Sequence, residues 1–176
     1  ALEGRVPIGE RVVIIGGGGI GVEIAPFLAK RWEIRPEVVE FLEDYEAFTD
    51  NDRAIVDRKG HRVTLVSRQR RLGGSVGGST RWVLAKEASI AGVEILNNAV
   101  AQEITTEGVV VLQGNEKTIV PADTVFLATG LKPNTRLHDE LTAAKVAPRI
   151  ELIGNPEHAM HAIESVSQAF RLALEV

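Results

Sequence analysis

Residues 11–21 read Arg-Val-Val-Ile-Ile-Gly-Gly-Gly-Gly-Ile-Gly. A short β-branched run enters a glycine cluster, with Gly16, Gly18 and Gly21 in G-x-G-x-x-G register. Val22 to Lys30 follows with helical character. Strand, tight turn and helix in that order constrain the chain to a dinucleotide-binding unit, because each glycine answers a separate steric demand. One makes the turn, one lets backbone approach a pyrophosphate, and one lets helix pack close to strand. Gly16, Gly18, Gly19 and Gly21 are therefore the expected phosphate cradle, at the positive end of the helix. A plain β-turn-α without ligand is the competing reading, and the flanking strand and helix weigh against it. Pro26 falls within the helix, where a kink or a late first turn is expected.

The rest of the chain alternates. Arg31 to Lys59 is acidic and irregular, too long for a simple crossover, and reads as an insertion near 31–60. A helical turn or two is expected over Phe41–Phe48, with the aromatics packing it onto the domain. His61–Ser67 is a buried parallel strand. Ser79–Ala88 is a helix with a hydroxyl cap, ended by Gly92. Val93–Leu96 is a strand. Residues 99–119 read as a small antiparallel meander with turns at Gly108 and Gly114-Asn115. Asp123–Ala128 is a further buried strand. The tail is expected to hold a helix near 135–144, a strand Ile150–Ile153 and a helix from about Glu157 to Glu175. The expected fold is a doubly wound, Rossmann-like α/β parallel sheet with a small meander and a strand–helix tail.

Composition narrows the function. Net charge is −4, which gives no electrostatic footprint for nucleic acid. No apolar run is long enough to cross a membrane. The N-terminal residues show no signal-peptide pattern, so a cytoplasmic location is expected. The start lacks methionine, consistent with a piece of a longer polypeptide or with a trimmed chain. Cysteine is absent, which excludes a disulfide, a thiolate metal site, a cysteine-ligated cluster and a redox dithiol within this sequence. His158 and His161 lie three apart, but without a third ligand no metal site is assigned. No catalytic residue is assigned either.

In this fold the end of the second strand faces the adenosine ribose. An acid there suits the 2′-hydroxyl of NAD, and arginine suits the 2′-phosphate of NADP. Here the strand ends Val66-Ser67-Arg68-Gln69-Arg70-Arg71, with no acid. Guanidinium forks match a phosphate that a carboxylate would repel. NADPH is favoured, NADH remaining possible. Arg68 is the principal candidate, Ser67 an added donor, and Arg70 and Arg71 either further contacts or a solvated basic loop.

These stretches resemble the C-terminal part of the 2,4-dienoyl-CoA reductase group. That group belongs to the old-yellow-enzyme-like NADH:flavin oxidoreductases, which include trimethylamine dehydrogenase. The matching residues are Val12–Gly21, the insertion, Arg68 at the second-strand end, Gly78-Ser79-Thr80-Arg81-Trp82, Asp123–Asn134 and Arg171–Glu175. The resemblance implies an NAD(P)-binding domain over 9–130 and the returning segment of an FAD-binding domain over 131–176. It implies that Thr129 and Gly130 contact cofactor, and that Asn155 or Glu157 stands where relatives carry an acid toward FAD. A turn and a helix-start charge are the plain alternatives at those two positions. An FMN-bearing barrel and a four-iron cluster would lie outside this sequence. The implied function is electron input from NADPH through FAD toward an unsaturated acyl thioester. A non-catalytic nucleotide-binding or docking module, or an NADH-linked or ADP-holding amine-dehydrogenase relative, remains open at this level.

Overall fold

A computed structural model of the chain describes residues 5–30, 34–47, 49, 60–74, 76–154 and 162–175. The strands are β1 (Arg11–Ile15), β2 (Arg62–Val66), β3 (Glu94–Leu96), β4 (Ala99–Ile104), β5 (Gly108–Gln113), β6 (Glu116–Pro121) and β7 (Thr124–Leu127). The helices are α1 (Gly19–Ala29), α2 (Pro36–Asp44), α3 (Gly78–Ile90), α4 (Arg136–Ala143) and α5 (Ala162–Ala173). Two compact units result, one running to Thr129 and the other starting at Gly130.

In the first unit the apolar runs form a parallel sheet in the order β3-β2-β1-β7. Its strands carry side chains to both faces, so both faces need cover. Val12, Ile14, Val63 and Leu65 pack with Val22, Ala25 and Leu28 of α1 and Ala88 of α3. Val13 and Val66, facing the other way, pack with Ala99, Val109 and Val111 of the antiparallel sheet β4-β5-β6. The expected α/β sheet with a meander is therefore present. The meander is more than an appendage, because it seals the face that α1 and α3 leave open. Each fully buried Leu or Ile of these layers contributes roughly 1.5–3 kcal/mol.

The starts of β1 and the edge strand β7 are tied by charge. The Arg11 guanidinium meets Asp123 at 2.5 Å, and the Arg11 N–H donates to the same carboxylate at 2.8 Å. The side-chain bond from Arg11 lowers the Asp123 pKa to about 2. A carboxyl held below its usual value adds stability above that value and loses it as pH falls. Asp123→Asn is therefore expected to melt lower than the wild type above pH 3.8, with the difference vanishing as pH falls through about 2. Thermal melts across that range check this. The pair is partly exposed, so the difference is small.

Several expectations are corrected by packing. α1 begins at Gly19 and continues through Pro26, so the first turn is early rather than late. α3 is capped by Gly77, which arrives extended, and no side chain caps it. Ser79 and Thr80 fall inside its first turn instead. Its other end matches the glycine reading. Gly92 has φ +71°, and the Gly92 and Val93 N–H groups donate to Ser89 and Ala88 carbonyls at 3.1 and 3.0 Å. In the insertion, α2 buries no residue. Phe41 and Tyr45 are exposed and pack on each other, 4.6 Å between ring centroids, not on the domain. One helical turn separates them, so they meet without help from a core. Phe48 lies outside the described residues.

In the second unit, Ile150–Ile153 forms no strand. A short apolar run becomes a strand only where another edge completes its ladder, and no such edge pairs with it among the described residues. α4 and α5 have no buried residues. Ile163, Val166 and Phe170 are spaced to share one face of α5, and all are exposed.

Candidate nucleotide-binding site

The site lies where β1 ends at the centre of the sheet, between β2 and β7. Open α/β sheets bind ligands at the carboxyl ends of strands, at such a change of winding direction. The chain must turn from β1 into α1 with almost no room. The Gly16 N–H donates to the Val66 carbonyl at 2.9 Å, fastening the turn to β2. Gly16 has φ +123°, and a Cβ there would overlap the Ala128 carbonyl behind β7. A Cβ on Gly21 would overlap the Gly16 carbonyl oxygen. Both positions thus require glycine for close approach, as the motif reading expects.

Gly18 is the N-cap of α1, and the Val22 N–H makes the first helical bond, to Gly18, at 3.1 Å. No side chain caps this end and its first turn holds no acid. The Ile20 and Gly21 N–H groups donate to nothing among the described residues. The helix therefore presents unsatisfied donors and the positive end of its dipole together, the chemistry that receives a phosphate.

The loop after β2 is held against this turn. The Gly73 N–H donates to the Gly17 carbonyl at 2.8 Å. Ser67 is buried beneath Gly17, where its Oγ accepts the Gln69 N–H at 3.2 Å. The Gln69 carbonyl accepts the Asn98 N–H at 3.2 Å, and the Gln69 side chain accepts the Gly74 N–H at 3.3 Å. Tethered on both sides, this loop displays Arg68, Arg70 and Arg71 to solvent. None of the three has a carboxylate or hydrogen-bond partner among the described residues. Thr129 follows β7 beside the glycine turn, its backbone N 3.2 Å from where a Gly16 Cβ would sit. Gly130, with φ +99°, opens the second unit. Asn155, Glu157, His158 and His161 lie outside the described residues.

The structure therefore gathers Gly16, Gly18, Gly19, Gly21, Ser67, Arg68, Arg70 and Thr129 at one end of one sheet. It also shows residues that sequence reasoning gave no role. Arg81 and Trp82 on α3, with Asn97 after β3, line an open cavity of about 500 Å³ together with Arg70 and Arg71. The Gly78–Trp82 stretch was visible in the sequence, but nothing there signalled Asn97. Among the described residues no cluster of His, Asp or Glu could hold a metal, and no helix is long and apolar enough to cross a membrane.

Comparison with known proteins agrees with this geometry. Residues 2–152 match the family model described as pyridine nucleotide-disulphide oxidoreductase. The chain belongs to that family. With no cysteine, this sequence carries no disulphide of its own. A curated relative is a metal reductase from Desulforamulus reducens, 29% identical over 99% of this chain and 26% of the relative. Two solved structures share the fold. A 2-naphthoyl-CoA reductase in complex with 2-naphthoyl-CoA aligns with TM-score 0.70 at 19% identity, covering 99% of this chain and 22% of that one. Histamine dehydrogenase from Rhizobium sp. 4-9 aligns with TM-score 0.71 at 14% identity, covering 96% and 24%. The family member described here spans about a quarter of the length of these relatives.

Proposed function

We propose that the chain is the NADPH-holding, electron-input portion of a flavin-dependent oxidoreductase of the 2,4-dienoyl-CoA reductase type. The carrying observation is the acid-free end of β2, where a tethered loop holds Arg68, without a partner among the described residues, next to the glycine cradle. The cradle fits a pyrophosphate, since the Ile20 and Gly21 N–H groups at the helix start have no partner among the described residues and close packing at Gly16 and Gly21 holds the turn that presents them. Gly18, Gly19 and Gly21 position the phosphates, and Arg68, with Arg70, selects the 2′-phosphate, while Ser67, expected as an added donor but buried beneath Gly17, supports the loop instead. Thr129 and Gly130 border the path toward the nicotinamide. When bound, NADPH supplies a hydride for transfer to FAD, and the chain's own residues act by positioning.

Residues 9–130 are the nucleotide domain of this reading, and residues 131–176 are the returning segment of an FAD-binding domain. Two features support the second assignment. The Ile150–Ile153 run has no strand partner among the described residues, and α5 exposes an apolar face. Both suit a segment completed by further FAD-domain structure, and in this reading Asn155 or Glu157 stands where relatives carry an acid toward the flavin. The FMN barrel and four-iron cluster belong to that larger assembly, which is cytoplasmic in this reading. The final acceptor is an unsaturated acyl-CoA thioester, in keeping with the fold shared with 2-naphthoyl-CoA reductase.

An absorbance spectrum and a nicotinamide-fluorescence titration of one purified sample test the reading. A chain without flavin absorbance that binds NADPH saturably is expected. Failure to saturate with NADPH overturns it.

A further inference from the structure

Arg68 and Arg70 flank Gln69, and the two arginines are held in different ways. Arg68 is pinned through the backbone on both sides. Before it, the Ser67 carbonyl accepts the Ala99 N–H at 2.9 Å, and after it, the Gln69 carbonyl accepts the Asn98 N–H at 3.2 Å. Asn98 has φ +51°, a left-handed conformation that asparagine tolerates better than most residues. The Gln69 N–H is also taken, by Ser67 Oγ at 3.2 Å. Arg70 and Arg71 make no hydrogen bond among the described residues. They hang between Gln69 and the Leu72–Gly73 pair, which is fixed to the cradle. Leu72 is buried under Gly17, and the Gly73 N–H donates to the Gly17 carbonyl at 2.8 Å.

One bond closes this span. Gln69 Oε1 accepts the Gly74 N–H at 3.3 Å, drawing residues 69–74 into a ring that carries both arginines. The fit is close, since a Cβ on Gly74 would lie 2.5 Å from Oε1 and 2.8 Å from Nε2. Gly74 is not in the left-handed region, so glycine serves this contact there rather than a special backbone angle. The ring limits where the Arg70 guanidinium reaches. A side chain held on an ordered loop loses less freedom on binding than one on an open loop.

We infer that Gln69 is a positioning residue for nucleotide choice, whose amide, clasped on Gly74, sets Arg70 toward the 2′-phosphate without touching the nucleotide. The inference rests on the NADPH reading and adds to it a residue that acts through Arg70. Arg68, pinned by backbone, keeps its place when the clasp opens.

The test is calorimetric titration of the full chain with NADPH and NADH, for wild type, Gln69→Ala, Gly74→Ala and the double variant. The single changes open one bond from opposite ends, Gly74→Ala by pushing the Gln69 amide aside. Each lowers NADPH affinity roughly 3- to 10-fold and NADH affinity by less than about twofold. The double variant matches either single variant, because one bond is lost only once. In an Arg70→Ala background, Gln69→Ala costs no further NADPH affinity. Melting temperatures stay close to that of wild type, since Gln69 is exposed. Three results overturn the inference. One is unchanged NADPH affinity in Gln69→Ala. Another is an equal loss for both nucleotides, which makes the clasp a support of the fold alone. The third is a loss in Gln69→Ala with wild-type affinity in Gly74→Ala, which makes Gln69 a direct nucleotide contact. A wild-type chain without preference for NADPH instead overturns the NADPH reading itself.

Discussion

Gly21→Val is expected to remove nucleotide binding and to destabilise the first unit. The first added carbon overlaps the Gly16 carbonyl oxygen, and that oxygen cannot retreat. Gly16 is fastened to Val66 on one side and lies against the Ala128 carbonyl on the other. Relief therefore requires α1 to move off β1, which opens the layer formed by Val22, Ala25 and Leu28. Overpacking of this kind costs roughly 2–4 kcal/mol. For a chain of this size that is a melting-temperature loss of roughly 5–15 °C. The same shift displaces the helix start whose donors face the phosphates. Thermal melts and an NADPH titration of the variant check both parts. Gly21→Ala shows the same effects in smaller degree, because the overlap begins at Cβ.

Arg68→Ala separates the two nicotinamide nucleotides. Arg68 has no partner among the described residues, so its removal breaks no ion pair and leaves no buried group unpaired. Its loss is felt only by a ligand that carries the 2′-phosphate. A charge-assisted, fork-shaped contact of this type contributes roughly 1.5–3 kcal/mol. NADPH affinity should fall roughly 10- to 150-fold, and NADH affinity by less than about threefold. Arg68→Lys keeps the charge but not the fork, so an intermediate loss is expected. Parallel titrations of the variants with both nucleotides measure the difference. Equal losses for both would mean that Arg68 does not read the phosphate.

The parallel sheet was legible because its determinants are local. Val12–Ile15, Arg62–Val66 and Thr124–Leu127 are β-branched or apolar runs bounded by glycine or polar residues. The first two are largely buried as that pattern implies, whereas Thr124–Leu127, expected to be buried, lies at the sheet edge with no buried residue and Leu127 exposed. The cradle was legible for the same reason, since glycine at positions 16 and 21 has few other uses before a helix. What covers the second face was not, because a meander's partner depends on side chains distant in sequence. The Phe41–Tyr45 pair misled, since aromatic residues signal burial and here satisfy each other on one helix. The Ile150–Ile153 run misled differently, being strand-like in sequence but without an edge to join among the described residues. The cavity beside α3 was hidden altogether. Arg81 and Asn97 come together only because β2 and β3 pair in register and α3 folds back over them.

The central claim is that this cradle is built for a nucleotide with a 2′-phosphate. Calorimetric titration of the wild-type chain with NADPH and NADH under one buffer and salt condition tests it most directly. Tighter binding of NADPH by about tenfold or more is the expected result. Equal affinity, or a preference for NADH, would contradict the account.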